Sequence, residues 1–446
     1  MERTNIGSTI DHIGGEVEIS GAIEARRDMG KIVFLDVRDR TGLLQVVVVP
    51  QVIGEEQMEL LKELRQGFVL HIHGLVKERG EKAVNPKLAT GRIELEARKI
   101  DMLSRAAPFP FDVNGELAID TYLDHLPLTL RTDRARAVFR IQAEIVEVFR
   151  AYLRGEGFVE FQCPKIVGGS TEGGANVFTI DYFGKEAFLA QSPQFYKQIM
   201  VGVFERVFTV GNVYRAELHA TSRHVNEYTS LDLEFGYIED HRDVMRIEND
   251  FLAYLVERLE KTCAAEFQLL GATLPTVPKD IPFLTLREAQ EVLEKEYSLA
   301  CVGEPDLDPE HERKLCEWSL KKHESDFLFV THYPTSKRPL YTMPDPNDPE
   351  VTLSFDLLFR GVEVTTGGQR IHDYEQLKAN VVKWGLNPDH FSYYLEAFKY
   401  GMPPEGGLAI GLERLTAKLL GIDNVKLATL FPRDINRIDD RLTKEE

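Results

Sequence analysis

Between Ser104 and Glu116 the chain reads SRAAPFPFDVNGE, with two prolines, a glycine and neither a helical nor a strand period. Such a stretch reads as a linker, so no single hydrophobic core spans it. The residues on its two sides differ in kind. The first hundred carry 15 Lys and Arg against 16 Asp and Glu, so nearly all of the net charge of −19 belongs to the C-terminal side. A shift in charge at the same place as a break in periodicity marks a domain boundary. A length of 446 residues leaves room for two or three domains at roughly 150 residues each.

The first segment is strand-rich. Glu16 to Ala22 alternates, Lys31 to Val37 and Leu43 to Val49 are apolar and β-branched, and Arg38 to Gly42 (RDRTG) has the residues of a tight turn between them. Gly67 to Val76 and Arg92 to Ala97 supply two more strands, and Glu55 to Leu64 reads as a helix between the third and fourth. Five short strands with one helix in this position fit an OB-fold barrel, although periodicity alone leaves other small barrels open.

Beyond the linker, helices and strands mix. Val138, Ile141, Ile145, Val148, Phe149 and Leu153 form a helical stripe. Val207 to Val213 and Ser230 to Ile238 read as strands flanking a polar loop, and Leu353 to Val364 as a strand pair turning near Gly361. Gly406 to Leu420 reads as a glycine-rich strand entering a helix. Strands far apart in sequence and interrupted by helices point to an α+β domain on a mostly antiparallel sheet flanked by helices. No apolar run approaches the roughly 18 residues of a membrane span. The first twenty residues lack a secretory pattern, and Cys163, Cys263, Cys301 and Cys316 form no CxxC pair. These features predict a cytoplasmic protein with no membrane partner, no disulfide framework and no structural zinc.

Three segments carry chemistry. In YRAELHATSRHVNEYTSLDLEF, Arg215 and Glu217 share one face of an extended strand, followed by Arg223, His224 and Tyr228. A forked cation, a carboxylate and an aromatic ring are the parts of a nucleotide site; an isolated R-x-E is more often a solvated hairpin. In GGLAIGLERLTAKLLG, Gly406, Gly407 and Gly411 allow close backbone approach and Arg414 begins a helix; the segment matches neither a Walker A loop nor a dinucleotide fingerprint. In SFDLLFRGVEVTTGGQR, Asp356 and Glu363 are two carboxylates that could converge on one divalent cation, or simply face solvent.

Taken together and in order, these segments resemble the class II aminoacyl-tRNA synthetases, and more closely the aspartyl-tRNA synthetases. The first family motif resembles Arg140 to Pro164, the second Arg215 to Glu234 and the third Gly406 to Leu420, and the likeness runs from about Gly15 to Arg437. It implies an OB-fold anticodon-binding domain over 1–103, a hinge over 104–131 and a catalytic domain over 132–446. STEGGANVF and AQSPQFYKQ resemble the substrate loops of aspartyl enzymes. The resemblance implies L-aspartate held by Lys197 and Arg370 at its side chain and by Glu172, Gln194 and Asp232 at its ammonium. An aspartate anion should indeed meet cations, whereas asparaginyl relatives do not keep the lysine of this loop. Without the surrounding match, Lys197 reads as a helix-surface lysine.

The same resemblance places ATP on Arg215, Glu217, Arg223, His224, Tyr228, Glu363 and Arg414, with Arg215, Glu217 and Arg414 as the catalytic group. It places Mg²⁺ on Asp356, Glu363 and Thr366. Arg27, Phe34 and Gln45 fall at the family's anticodon-reading positions, although Phe34 in an unassigned barrel would read as core. Only about 170 residues separate Glu234 from Gly406, too few for the large insertion of bacterial-type enzymes. The compact archaeal/eukaryotic type, without the eukaryotic N-terminal extension, is expected. The implied activity is ATP-dependent charging of tRNA(Asp), or of tRNA(Asn) as well in a non-discriminating enzyme, by a homodimer. Two barrel positions bear on that choice, one near Glu24 and one in the Pro86 to Gly91 loop, and Glu24 departs from the aromatic or histidine of relatives. The alternatives are an asparaginyl-tRNA synthetase and a non-catalytic paralogue that binds tRNA. The acidic balance alone argues against a nucleic-acid partner, but it averages over a nearly neutral barrel whose local cations can still track a phosphate backbone.

Overall fold

The computed structural model describes residues 2–30, 32–54, 57–169, 176–218, 221–439 and 442. The chain divides into two compact units, Met1–Ala118 and Ile119–Glu446.

The first unit is a closed five-stranded barrel: β1 (Glu16–Asp28), β2 (Val33–Arg38), β3 (Leu43–Val48), β4 (Val69–Glu78) and β5 (Ile93–Ser104), ordered β1-β2-β3-β5-β4. The β3–β5 contact is parallel and the others are antiparallel. This is the expected OB-fold arrangement. β1 runs past the predicted Ala22 because a bulge between Ile23 and Ala25 bends it, letting one strand pair β4 with its first half and β2 with its second. The intervening helix is shorter than predicted, Met58–Glu63. Alternation puts Val33, Leu35 and Val37 in the core and leaves Phe34 and Asp36 on the other face.

The second unit is built on an eight-stranded sheet. Its strands are β6 (Val159–Glu160), β10 (Arg206–Tyr214), β11 (Glu227–Gly236), β12 (Phe283–Thr285), β13 (Phe327–Thr331), β14 (Ser354–Phe359), β15 (Val362–Gln369) and β16 (Glu405–Gly411). Their order is β12-β13-β14-β15-β16-β11-β10-β6, parallel only at its two ends. A small separate sheet joins β7 (Ile166–Val167), β8 (Thr179–Tyr182) and β9 (Lys185–Leu189). The β14–β15 hairpin turns on Arg360 and Gly361 with φ of 46° and 82°. Two successive left-handed residues match the natural twist of a hairpin, which glycine accepts without strain.

One face of the sheet is covered by the helices Asp133–Gly155 and His241–Thr262. The first starts at an N-cap, where the Thr132 hydroxyl accepts from the Ala135 amide. The whole predicted stripe from Val138 to Leu153 is buried, and it packs with Leu231, Leu233, Phe355, Leu357, Leu408 and Ile410. The opposite face of these strands is therefore free to carry polar residues. Among the described residues no helix is long and apolar enough to cross a membrane.

Candidate active site

Register sets the site. Asp356, Thr366, Ala409 and Asp232 are successive cross-strand partners on β14, β15, β16 and β11, and Glu234 pairs with Gly407 in the neighbouring row. Residues directly opposite in antiparallel strands share a face. The glycine-rich strand explains itself here. Leu408 and Ile410 point into the core, while Gly407, Ala409 and Gly411 alternate on the site face as a low floor. A Cβ on Gly407 would lie 2.1 Å from Glu234 Oε2 and 2.2 Å from the Leu233 carbonyl, so the close approach needs glycine.

Above this floor, Arg215, Glu217, Arg223, His224, Tyr228, Glu363, Thr366 and Arg414 line one cleft. The loop that brings the first five together is pinned by Asn226, whose Nδ2 donates to the carbonyls of Arg215 (2.7 Å) and Glu217 (3.1 Å). The Arg215 guanidinium lies 5.9 Å from the centre of the Tyr228 ring, within reach of a cation–π contact. His224 Nε2 is 3.7 Å from Glu217 Oε2. Arg223 donates to Glu312 (3.0 Å) and to the Gly361 carbonyl (3.1 Å), and Arg414 to the Glu363 carbonyl (2.8 Å). The start of the Leu412–Leu419 helix is held by Glu413, whose two carboxylate oxygens each accept from the Thr229 amide at 3.0 Å. Burial pushes Glu413 up to about 7 and Glu312 up to about 7, the latter helped by the nearby Glu363.

The candidates for amino-acid binding form a second group, closed off beneath the first. The helix Gln194–Phe204 turns Gln194, Lys197, Gln198 and Val201 inward at helical spacing. Lys197 is only 1% exposed, not a surface lysine. Its Nζ lies 3.1 Å from Asp232 and 3.0 Å from Glu234 and donates to the Leu408 carbonyl at 3.0 Å. Arg370 donates from Nε to Glu234 (2.8 Å) and from Nη2 to the Gly407 carbonyl (2.9 Å), with its guanidinium 5.4 Å from the Tyr341 ring centre. Burial opposes ionisation of Glu234, yet Arg370 and Lys197 outweigh it and hold the carboxylate below its usual range. The two groups meet at Ser230, which lines the cleft and whose Oγ donates to Asp232 at 2.5 Å. Glu172 lies outside the described residues.

Asp356 stands across the strands from Thr366, close enough to Glu363 for their charges to interact. It is buried behind the cleft wall, where Arg338 donates to its Oδ2 at 2.7 Å and stacks 3.9 Å from the Tyr333 ring centre. Burial pushes this carboxyl up to about 6 in spite of Arg338. Beside it the cleft wall presents Glu363 and Thr366, joined by a 2.6 Å hydrogen bond from Thr366 Oγ1. Among the described residues no three His, Cys, Asp or Glu gather as a metal cluster. Hard oxygens on a cleft wall suit a cation that is shared with phosphates, as Mg²⁺ commonly is.

In the barrel, Arg27, Phe34 and Gln45 sit on one outer face. Arg27 pairs across strands with Phe34, and Asp36 with Gln45. The Arg27 guanidinium forks onto Asp36 at 2.7 and 3.0 Å and reaches Gln45 at 3.3 Å, and Gln45 donates to Glu94 at 3.2 Å. Phe34 is half-buried and outside the core, contrary to the reading of it as barrel filling. Glu24 is paired with Arg38.

Sequence reasoning missed Gln198, Glu405, Arg338, Glu312 and Asn226. Gln198 was within reach, because it stands four residues after Gln194 on the same helical face as Lys197. Asn226 lies within the second motif and Glu405 just ahead of the third, with nothing in their neighbours to mark a role, whereas Arg338 and Glu312 are brought in by chain remote from the motifs.

The chain is similar to known proteins along nearly its whole length. Residues 118–435 match the family described as tRNA synthetases class II (D, K and N), and residues 17–103 match the OB-fold nucleic acid binding domain. A protein of Deinococcus radiodurans named aspartate–tRNA(Asp/Asn) ligase is 48% identical, with 98% of this chain and 99% of that one covered. A Thermus thermophilus protein of the same name is also 48% identical, with coverage of 96% and 97%. Among solved structures, an asparaginyl-tRNA synthetase of Pyrococcus horikoshii complexed with asparaginyl-adenylate aligns with a TM-score of 0.90 at 30% identity, covering 98% of this chain and 99% of that one. With both units matched by family models and relatives at 48% identity along nearly its whole length, the chain belongs to the class II tRNA synthetases (D, K and N).

Proposed function

We propose that this protein is an aspartate–tRNA ligase that activates L-aspartate with ATP and transfers it to tRNA(Asp) and also to tRNA(Asn). The observation that carries the amino acid is the pair of buried cations, Lys197 and Arg370. A pocket that presents two buried cations to a carboxylate gains far more from the anion than from the uncharged amide, which is worth several orders of magnitude in selectivity. The asparaginyl neighbour supports the rival reading on overall shape alone, whereas the relatives at 48% identity carry the aspartate name and both tRNAs. A catalytically silent paralogue is disfavoured because Arg215, Glu217 and Arg414 line one cleft and Arg370 stands beside it.

In this reading ATP lies in the cleft over Gly411. Arg215 holds the α-phosphate, Arg223 and His224 approach the outer phosphates, Tyr228 and Arg414 flank the adenine, and Glu217 approaches the adenosine side. Asp356, Glu363 and Thr366 would hold Mg²⁺, which would supply charge neutralisation for the phosphates. Gln194, Asp232 and Glu172 orient the aspartate ammonium. The α-carboxylate then attacks the α-phosphorus in line and pyrophosphate leaves. The terminal ribose hydroxyl of the tRNA next attacks the mixed anhydride and releases AMP. No covalent enzyme intermediate is needed, so the residues contribute position and charge neutralisation. The barrel over 1–103 would stack anticodon bases on Phe34 and read their edges with Arg27 and Gln45, with 104–131 as the hinge and 132–446 as the catalytic domain. A cytoplasmic homodimer is part of the same proposal. Charging of purified tRNA(Asp) and tRNA(Asn) with labelled aspartate tests it. Aspartyl ester is expected on both; ester on tRNA(Asp) alone would make the enzyme discriminating, and ester on neither would refute the reading.

A further inference from the structure

Glu405 opens the glycine-rich strand and is fully buried beside the amino-acid pocket. No step of the proposed reaction uses it. Its surroundings fix how it is satisfied. Gln198 donates from Nε2 to Glu405 Oε1 at 2.6 Å. The Gln198 carbonyl oxygen is already taken by two donors, Tyr394 Oη at 2.9 Å and Gln194 Nε2 at 3.0 Å, so its amide nitrogen is the end that faces Glu405. That leaves Glu405 Oε2, a buried oxygen with no conventional partner, and Glu234 Oε2, which accepts no hydrogen bond although the Lys197 ammonium lies 3.0 Å away. Two such carboxyl oxygens satisfy one another only if one of them carries a hydrogen.

We infer that Glu405 and Glu234 share one proton, held on Glu405 Oε2 and donated to Glu234 Oε2, and that Glu405 is thereby a positioning residue for the substrate's side-chain carboxylate. This rests on the aspartate reading of the pocket. The charged and titratable groups around the pair come from every element packed on it: Asp232 beside Glu234 on β11, Lys197 on the helix Gln194–Phe204, Arg370 beyond β15, and the phenols of Tyr394 and Tyr341. Two cations therefore face two carboxylates when Glu405 is neutral. An ionised Glu405 would add a third, and an incoming carboxylate would meet excess negative charge. Burial, with Glu234 opposite, holds the Glu405 carboxyl well above the usual range, while Glu234 is held below it. The backbone is tied to the same point, since the Arg370 amide donates to the Glu405 carbonyl at 2.9 Å. Glu405 thus sets both the charge and the place of Arg370.

Two measurements on the full-length protein test this. Difference infrared spectroscopy at neutral pH, wild type minus Glu405→Gln, should show the C=O stretch of a protonated carboxylic acid; only carboxylate bands would overturn the shared proton. The subtraction separates Glu405 from other buried acids. Gln198→Leu, which removes the donor to Oε1, should shift the same band, so the assignment survives should Glu405→Gln fail to fold. In aspartate-dependent ATP–pyrophosphate exchange, Glu405→Ala should raise the aspartate KM about tenfold with a smaller loss in kcat, and Glu405→Gln, whose amide can still donate to Glu234, should recover most of that rise. An ionised Glu405 predicts the opposite sign, because deleting an anion would lower the KM. An unchanged or lowered KM in Glu405→Ala overturns the positioning role. Absence of exchange in the wild type would refute the aspartate reading instead, and the infrared band would still decide the proton.

Discussion

The barrel and the catalytic sheet both gather charged side chains in register across neighbouring strands, yet the two surroundings make those charges into different instruments. On the barrel, Arg27 is half exposed and its pair with Asp36 is open to water. In the pocket, Lys197 and Arg370 face Asp232 and Glu234 with almost no solvent. Water and salt screen the first pair, and exposed pairs contribute about 0–1 kcal/mol. The pocket pairs are unscreened, and loss of one partner strands a buried charge at a cost of about 3–5 kcal/mol. An exposed face can exchange its partners for nucleotide bases with little penalty. A buried cluster is costly to assemble and accepts only a ligand that completes it.

The largest effects should therefore come from the pocket and cleft. Lys197→Met leaves Asp232 and Glu234 to one cation. Aspartate-dependent exchange should fall about a thousandfold or more in kcat/KM, accompanied by a lower melting temperature. Arg215→Ala should abolish exchange while the protein stays folded, since its side chain is only partly buried on the cleft wall. Wild-type exchange in either variant would break the comparison.

A step down in size is Gly407→Ala. Its methyl would meet the Leu233 backbone and the Glu234 carboxylate, which cannot move without releasing Arg370. Thermal denaturation should show a loss of about 1–3 kcal/mol, and the aspartate KM should rise. Unchanged values would mean that the floor of the site has room to spare.

On the barrel, Phe34→Ala and Arg27→Ala should raise the tRNA KM in aminoacylation about tenfold and leave tRNA-independent exchange as it was. Raised salt should weaken tRNA binding without altering exchange. An equal loss in both assays would show that the two regions are not separable.

The last effect is a pH dependence. Burial raises Glu413 from 4.5 to about 7, so the folded chain keeps a proton that the unfolded chain sheds. The contribution is whole below about 4.5 and is lost as pH rises through about 7. Glu413→Gln, which cannot ionise, should gain stability relative to wild type between pH 5 and pH 8, by on the order of 2 kcal/mol. A gap in melting temperature that does not widen with pH would contradict this.

Legibility from sequence divides along the same line. Strand alternation is local, so the barrel strands, the buried stripe from Val138 to Leu153 and the Gly361 turn could all be read from neighbours in sequence. The extension of β1 could not, because its second half exists only by pairing with β2 after a bulge. Motif residues of the cleft came together as the resemblance implied. Lys197 by itself looks like a surface lysine, since nothing within its helix announces that the facing strands carry Asp232 and Glu234. Asp356 is only half legible for the same reason: its partner Arg338 comes from a connection outside the motif, and that pairing is invisible in the spacing of Asp356 and Glu363. Glu405 stands just ahead of the glycine-rich segment with no role legible in its neighbours; only the fold sets it against Gln198.

The central claim is that buried paired cations select an anionic amino acid. ATP–pyrophosphate exchange by the wild-type protein, with aspartate and asparagine side by side, tests it most directly. The account predicts a kcat/KM for aspartate at least about a thousandfold above that for asparagine. Exchange supported equally well, or better, by asparagine would contradict it.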